Sequence, residues 1–128
     1  MFKKLSDADV ACLKEGDTEI WYMRTEFFAY GILGYEFLKK KGMVPDPKNL
    51  NKTHVLMGKV KCADCEIIYA QMQGEVWSPH GEAREMLQEK GVDHTSMCVG
   101  DVVVLEGKVL LVDIMKFREL PQVETQKK

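Results

Sequence analysis

His94, Ser96 and Asp101 carry the three side chains that acyl transfer requires, and they lie close together in the sequence. That chemistry needs a hydroxyl nucleophile, a histidine base and an orienting carboxylate within hydrogen-bonding distance of one another. A structural interpretation competes with it. In that interpretation Ser96 caps loop amides, Gly100 supplies a positive φ angle, and Asp101 accepts backbone hydrogen bonds where a hairpin begins. We favour the structural interpretation and predict no catalytic residue.

Cys62 and Cys65, followed by His94 and Cys98, offer four metal ligands in two pairs, the number that a tetrahedral zinc site needs. However, a single Cys-x-x-Cys pair is common by chance, and the segment between the two pairs is longer than in ordinary zinc fingers. A redox role is disfavoured because the pair lacks the full strand-motif-helix context of thioredoxin-like proteins and has only a single predicted strand beside it. We therefore expect reduced thiols, no metal and no cofactor.

Helical periodicity dominates the first third of the chain. A Ser-x-x-Asp pattern predicts a short helix over residues 6–15, and apolar residues at three- and four-residue spacing predict a longer helix over residues 17–41. This longer helix has a second apolar stripe, so that its apolar arc is wider than one buried face requires. The stripe consists of Trp21, Phe28, Ile32 and Tyr35. It predicts either interior packing or a contact surface for a partner or a second copy.

The second half of the chain mixes strands and helices. Residues 53–61 alternate as a strand does, and residues 63–73 fit a helix. Ser78 before Pro79 predicts a further helix that runs to Lys90, because the hydroxyl can cap a free amide and proline suits the first helical position.

Two β-branched runs follow, over residues 101–105 and 108–114, and Glu106 with Gly107 between them predicts a tight hairpin. The predicted fold is therefore α+β. N-terminal helices pack with a small antiparallel sheet, made of the C-terminal hairpin and one further strand, and two motif helices cover one face of that sheet.

Length and composition limit the function. The 128 residues suit one domain over residues 1–120, with a helical part (1–42), a motif-bearing part (53–120) and a flexible tail (121–128). The net charge of −2 disfavours direct nucleic-acid binding. The longest uncharged apolar run, residues 27–35, is too short to span a membrane, and we read no secretion signal. We therefore expect a cytoplasmic protein without a membrane partner.

Two long motifs resemble a known family. They are Met-Gln-Gly-Glu-Val-Trp-Ser-Pro-His-Gly-Glu-Ala-Arg at residues 72–84 and His-Thr-Ser-Met-Cys-Val-Gly-Asp-Val-Val at residues 94–103. Together with Thr-His-Val at residues 53–55, they are similar to the pattern of small, mostly unannotated proteins of bacteriophages, plasmids and bacteria. The resemblance spans about residues 53–120. This chain departs from the pattern at His80, where the family has Asn, and at Cys98, where it has Ser.

The resemblance implies a mobile-element accessory protein, without an established activity. Two classes of function remain open. The first is a non-enzymatic protein, phage-encoded and acting in the host cytoplasm, that binds and modulates or inhibits a host protein or defence complex through its aromatic N-terminal half; a homodimer is a further option. The second is a small ligand-binding domain or enzyme with a pocket, for which the candidate residues are Trp77, Glu82, His94, Ser96 and Asp101. We favour the first class.

Overall fold

A five-stranded antiparallel sheet is the centre of the fold. The computed structural model describes residues 16–81 and 83–120 of the chain, and all statements below concern those residues. The strands are β1 (Thr18–Met23), β2 (His54–Val60), β3 (Val102–Leu105), β4 (Lys108–Asp113) and β5 (Lys116–Leu120). Their order in the sheet is β2-β1-β3-β4-β5, and every neighbouring pair is antiparallel. The predicted α+β class is confirmed, with a larger sheet than we expected.

Short helices connect the strands. They are α1 (Thr25–Gly31), α2 (Tyr35–Lys41), a 3-10 turn (Leu50–Lys52), α3 (Cys65–Gln71), α4 (Gly74–Trp77) and α5 (Arg84–Glu89). The helix predicted over residues 6–15 and the predicted tail over residues 121–128 lie outside the described part of the chain. Within the described part, none of the helices has the length and apolar character needed to cross a membrane.

The long helix that we predicted over residues 17–41 is wrong in its first part. Residues 18–23 form β1, which lies between β2 and β3, and two short helices follow it. A strand that is covered on both faces needs apolar residues at nearly every position. Ile20 and Tyr22 are buried on one face and Trp21 packs on the other, which explains the unusually wide apolar arc.

The sheet has two covered faces. On the first face, Ile20, Tyr22, Val103 and Val112 pack against the motif segments between β2 and β3. On the second face, the core residues are Val102, Val109, Leu111, Leu120, Leu38 and Leu50, the last two from α2 and the 3-10 turn. Our prediction that helices cover only one face was therefore incomplete. The motifs belong to the first face.

The predicted hairpin is confirmed. β3 and β4 are joined by Glu106 and Gly107, both of which have positive φ angles, as a tight two-residue hairpin turn requires. A second hairpin was missed, because β5 carries charged residues at three of its five positions and ends the sheet as an edge strand.

The second motif helix begins later than predicted. We placed its start at Ser78 and Pro79, but α5 begins at Arg84. The chain first makes a turn in which Gly81 has a φ angle of +75°, which interrupts helical geometry. The predicted cap is therefore also wrong: the Ser78 hydroxyl accepts a hydrogen bond at 2.9 Å from the amide of Ala83, the residue that precedes α5, and caps no amide within the helix.

Candidate functional site

Asp101 is the centre of the motif region. Its side chain has no exposed surface, and its carboxylate accepts hydrogen bonds from three directions. The Met23 amide donates to Oδ1 at 2.7 Å, and the Cys98 amide donates to Oδ2 at 2.8 Å. His94 Nε2 lies 2.9 Å from both oxygens. Because a carboxylate can only accept, Nε2 carries the proton in this contact.

The His94 ring is enclosed between two aromatic side chains. The ring of Tyr22 stacks on one side with centroids 4.8 Å apart, and the ring of Phe28 stacks with centroids 4.4 Å apart. The side chain of His94 is 9% exposed, and its Nδ1 atom is buried without a hydrogen-bond partner. Neither aromatic contact was predicted. Tyr22 and Phe28 come from a segment that we assigned to one helix.

The Thr95 carbonyl links the motif at residues 72–84 to the loop at residues 94–101. It accepts hydrogen bonds from the Tyr22 hydroxyl at 2.7 Å and from Trp77 Nε1 at 3.0 Å. Ser96 has a similar role, because its hydroxyl accepts a hydrogen bond from the Gly74 amide at 2.7 Å. Trp77 and Ser96 are therefore engaged in contacts between the two motifs. Burial, with the negative charge of Asp101, raises the pKa of the Tyr22 hydroxyl far above its usual value.

His54 supports the same loop from β2. It is fully buried, its Nε2 lies 2.7 Å from the Gly100 carbonyl, and its Nδ1 lies 2.7 Å from the Thr53 hydroxyl. Burial lowers the pKa of His54 below its usual value. A neutral ring satisfies both contacts, with Nε2 donating to the carbonyl and Nδ1 accepting from the hydroxyl.

Gly100 allows this loop to approach the N-terminal half. Its φ angle is +105°, as we predicted, and a Cβ atom at Gly100 would lie 3.0 Å from the Cα of Gly31. A Cβ at Gly31 would in turn lie 2.2 Å from the sulfur of Met23. Gly31 therefore permits the backbone of Gly100 to approach closely.

The thiols of this region are not poised for nucleophilic chemistry. Burial and the negative charge of Asp101 raise the pKa of the Cys98 thiol to about 11, and Cys98 Sγ lies 3.2 Å from the Ser96 carbonyl. Burial, together with the charge of Asp64, also raises the pKa of Cys65. A reactive thiol requires the opposite shift. Within residues 16–81 and 83–120, no group of three or more His, Cys, Asp or Glu side chains is placed to hold a metal ion.

The structure thus brings together four of the five residues that we predicted for a pocket. His94 and Asp101 are in direct contact, and Trp77 and Ser96 are joined to the same loop. Glu82 is outside the described residues. In this arrangement the hydrogen bonds link segments of the chain to one another, as the structural interpretation of the motifs predicts.

The residues of the predicted contact surface do not form a stripe on one helix. Trp21 lies in β1, where its Nε1 donates to Glu19 at 2.8 Å, and Phe28 covers His94. The ring of Tyr35, in α2, is covered by the Arg118 guanidinium at 4.3 Å. Ile32 is the member of the set with a largely exposed side chain, at 43%. Their role in partner binding stays a prediction.

A different group of apolar residues is exposed. Leu33 is 52% exposed, Ile114 is 55% exposed and Met115 is 97% exposed. The two segments are adjacent, because the Tyr35 amide donates to Asp113 Oδ1 at 3.0 Å and a Cβ at Gly34 would lie 3.0 Å from Ile114. We call the surface of Ile32, Leu33, Ile114 and Met115 the apolar patch. A signal existed in the sequence, since Ile114 and Met115 are large apolar residues at a hairpin turn, where polar residues are usual.

Comparison with known protein families, with curated proteins and with solved structures finds no match. The resemblance of the two motifs to proteins of phages, plasmids and bacteria therefore rests on the motif residues alone and stays a prediction.

Proposed function

We propose that this chain is a non-enzymatic mobile-element accessory protein that binds a host protein or defence complex and modulates or inhibits it. The apolar patch carries the proposal. Monomeric proteins expose single apolar side chains widely, but adjacent large ones commonly mark interaction sites. In this chain two separate segments meet to form the patch, and Asp113 holds them together.

The motif region supports this division of roles. Three of its polar side chains are bonded within the chain: Asp101 binds two backbone amides and His94, and Ser96 and Trp77 bind backbone groups of neighbouring segments. Such a network fixes the relative positions of β1, the 94–101 loop and the start of β3. We infer that the motifs form the scaffold and that the patch forms the contact surface.

The alternative proposal, a ligand-binding domain or enzyme, has one observation in its favour. His94 Nδ1 is buried without a partner, next to a carboxylate that orients the ring from Nε2. A base of this kind needs a nucleophile or a substrate within reach. The Ser96 hydroxyl is bound to the Gly74 amide, and the raised pKa of Cys98 keeps its thiol protonated. We therefore place this function second.

A capture experiment with matched variants tests the proposal. Immobilised wild-type protein is incubated with host-cell extract in parallel with Leu33→Glu, Met115→Glu and the control Val76→Glu, which places the same charge on a 39% exposed valine of α4. We expect a stoichiometric protein that is retained by wild type and Val76→Glu. With either patch variant, its affinity should fall about tenfold or more, as for a contact that contributes above about 1.4 kcal/mol.

The melting temperature of each variant separates binding from folding. Leu33 and Met115 are exposed, so that their replacement should leave the melting temperature within a few degrees of wild type. A partner that all three variants retain equally would contradict the patch as the contact surface. Hydrolytic or transfer activity that is lost in His94→Gln, in a protein that remains folded, would support the second function instead.

A further inference from the structure

The two edges of the sheet differ in how regular they are. β2 forms one edge, and its pairing with β1 shifts register between Ile20 and Trp21, opposite Gly58. Irregularities of this kind distort an edge and discourage further pairing. β5 forms the other edge, and it pairs with β4 in continuous register from Lys116 to Leu120. Among the described residues, β5 is therefore the edge suited to accept another strand.

The backbone groups that β5 presents outward can be assigned from the alternation of hydrogen bonds. The amide and carbonyl of Val112 are directed to the β3 side, where they bond Asp101 and Gly100 at 2.8 Å. Because successive residues of a strand point their backbone groups to opposite sides, Leu111 and Asp113 face β5. They pair with Arg118 and Lys116. The backbone groups of Phe117 and Glu119 consequently face away from the sheet.

A cavity lies on the first face of the sheet, beside this edge. Its volume is about 300 Å³, and its apolar lining comes from Tyr69, Val99, Val112 and Phe117. Phe117 meets Tyr69 edge to face, with centroids 6.4 Å apart. Met115 of the apolar patch also lines the cavity, so that the patch and the β5 edge form one continuous surface. A residue placed opposite Phe117 on an added strand would direct its side chain to this face.

The charges of β5 disfavour a second copy of this chain as the added strand. Antiparallel self-pairing about Arg118 or about Glu119 places identical charges opposite each other, and self-pairing about Phe117 places Lys116 opposite Arg118. Like charges directly opposite one another are destabilising. Lys116 and Arg118 share one face of the strand, and Arg118 Nε already lies 3.1 Å from Asp113. Lys116 is therefore the charge that complements an acidic side chain on an incoming segment.

We propose that β5 and the adjoining cavity bind an extended segment of a partner protein, which pairs with the outward backbone groups of Phe117 and Glu119. The segment alternates apolar residues, of which one fills the cavity, with acidic residues, of which one meets Lys116. This mode of binding rests on the proposed partner-binding function and specifies its chemistry. Main-chain hydrogen bonds supply affinity in such complexes, and pockets for alternate side chains supply specificity.

A synthetic peptide tests the binding mode directly. The probe is the capped peptide Glu-Val-Glu-Phe-Glu-Val-Glu, and the controls are the same peptide with Lys in place of each Glu and a scrambled version. We expect the acidic alternating peptide to bind more tightly than either control. We also expect amide hydrogen exchange at Phe117 and Glu119 to slow on binding, whereas the amides of Lys116 and Arg118 are protected before the peptide is added.

Substitutions in β5 and in the cavity distinguish the contribution of the backbone to peptide binding from that of the side chains. Glu119→Pro removes the outward amide and leaves the β4–β5 hydrogen bonds in place, so that peptide binding should weaken about tenfold. Glu119→Ala keeps that amide and should bind about as well as wild type. Val99→Trp, which fills the cavity and leaves the β5 backbone unchanged, is the second variant, and it should also lose the peptide.

The outcomes distinguish the two proposals. Absence of peptide binding, or equal binding by Glu119→Pro, Glu119→Ala and Val99→Trp with all three folded, overturns the edge proposal. In that case a host protein that is still lost in Met115→Glu would leave the proposed function standing. The converse result is also informative. If the peptide binds with the expected variant pattern and Met115→Glu captures the host protein as well as wild type does, the edge site stands and the proposed function of the patch is overturned.

Discussion

Asp101 precedes β3 and Asp113 ends β4, so both lie at the open end of the β3–β4 hairpin, where they make the same kind of long-range link in different surroundings. Each carboxylate accepts a hydrogen bond from the amide of a residue 78 positions earlier, Met23 for Asp101 and Tyr35 for Asp113. Each thereby links the N-terminal half of the chain to the C-terminal hairpin, and we call these two sets of contacts the Asp101 joint and the Asp113 joint. The two carboxylates differ in their remaining partners.

Asp101 is completely buried, and its other partners are the Cys98 amide and the enclosed ring of His94. Asp113 is 8% exposed, and its other partners are the Ile114 amide and the guanidinium of Arg118. Water can replace lost partners more easily at the second position than at the first. The comparison therefore predicts that the same substitution costs more unfolding free energy at Asp101 than at Asp113, which lies next to the apolar patch.

The largest expected effect is that of Asp101→Ala. This change leaves the Met23 and Cys98 amides and His94 Nε2 without their acceptor inside the protein. Breaking a buried pair by removing one partner costs about 3–5 kcal/mol of unfolding free energy. Urea unfolding measures this loss, and Asp101→Asn, which keeps one acceptor oxygen, should be intermediate. A loss below about 1 kcal/mol in Asp101→Ala would mean that this network has little structural weight.

The local part of the Asp101 joint could be predicted from the sequence. The role of Asp101 as a backbone acceptor, the positive φ angle of Gly100 and the hairpin that follows depend on neighbouring residues. The Met23 amide could not be predicted, because that partner depends on β1 being a strand. The apolar spacing across residues 20–37 mimics one helix although it crosses a strand and two helices.

The Asp113 joint was missed for a related reason. Its partner Tyr35 begins a helix that follows a turn at Gly34, and no local pattern links that turn to the end of β4. Without this link, Ile32 and Leu33 cannot be placed beside Ile114 and Met115. Periodicity in the sequence thus does not reveal a surface that distant segments form together. The residue types of the supporting loops, in contrast, do predict local structure.

Asp113→Ala should have a smaller effect than Asp101→Ala. It removes the acceptor of the Tyr35 and Ile114 amides, and the cost expected for these partly hydrated groups is about 1–2 kcal/mol. Because Asp113 positions the two segments of the apolar patch, partner affinity should fall in the same variant. The variant Glu106→Ala, at an exposed position in the turn that precedes β4, is the control and should change neither quantity. Equal destabilisation by the Asp101 and Asp113 changes would contradict the comparison.

The two joints should also differ in their response to acid. His54, which supports the Asp101 loop through Gly100, has a lowered pKa because of burial. As the pH falls, His54 therefore takes up a proton in the unfolded chain before it does so in the folded chain. The stability that neutral His54 contributes is present above its unfolded pKa of about 6.5 and is lost as the pH falls through its folded pKa. Urea unfolding between about pH 7.5 and about pH 5 should show wild type losing more stability than His54→Gln. Parallel curves for the two proteins would contradict this assignment.

Arg118→Met should have the smallest effect. Arg118 Nε lies 3.1 Å from Asp113, and its guanidinium packs on Tyr35, but the arginine side chain is 30% exposed. Burial would raise the pKa of Asp113, and this is outweighed by the Tyr35 and Ile114 amides and by Arg118, so that the pKa is lowered. Exposed pairs contribute about 0–1 kcal/mol, and we expect a loss within that range at neutral pH.

The pH dependence of that loss identifies its origin. The contribution of a carboxylate with a lowered pKa is present above its unfolded value of about 3.9 and disappears as the pH falls through the folded value. The difference between wild type and Arg118→Met should therefore shrink below about pH 4. Arg118→Lys keeps the charge and loses the planar contact with Tyr35, so that a difference that persists in acid and also occurs in Arg118→Lys would assign the effect to ring packing instead of charge.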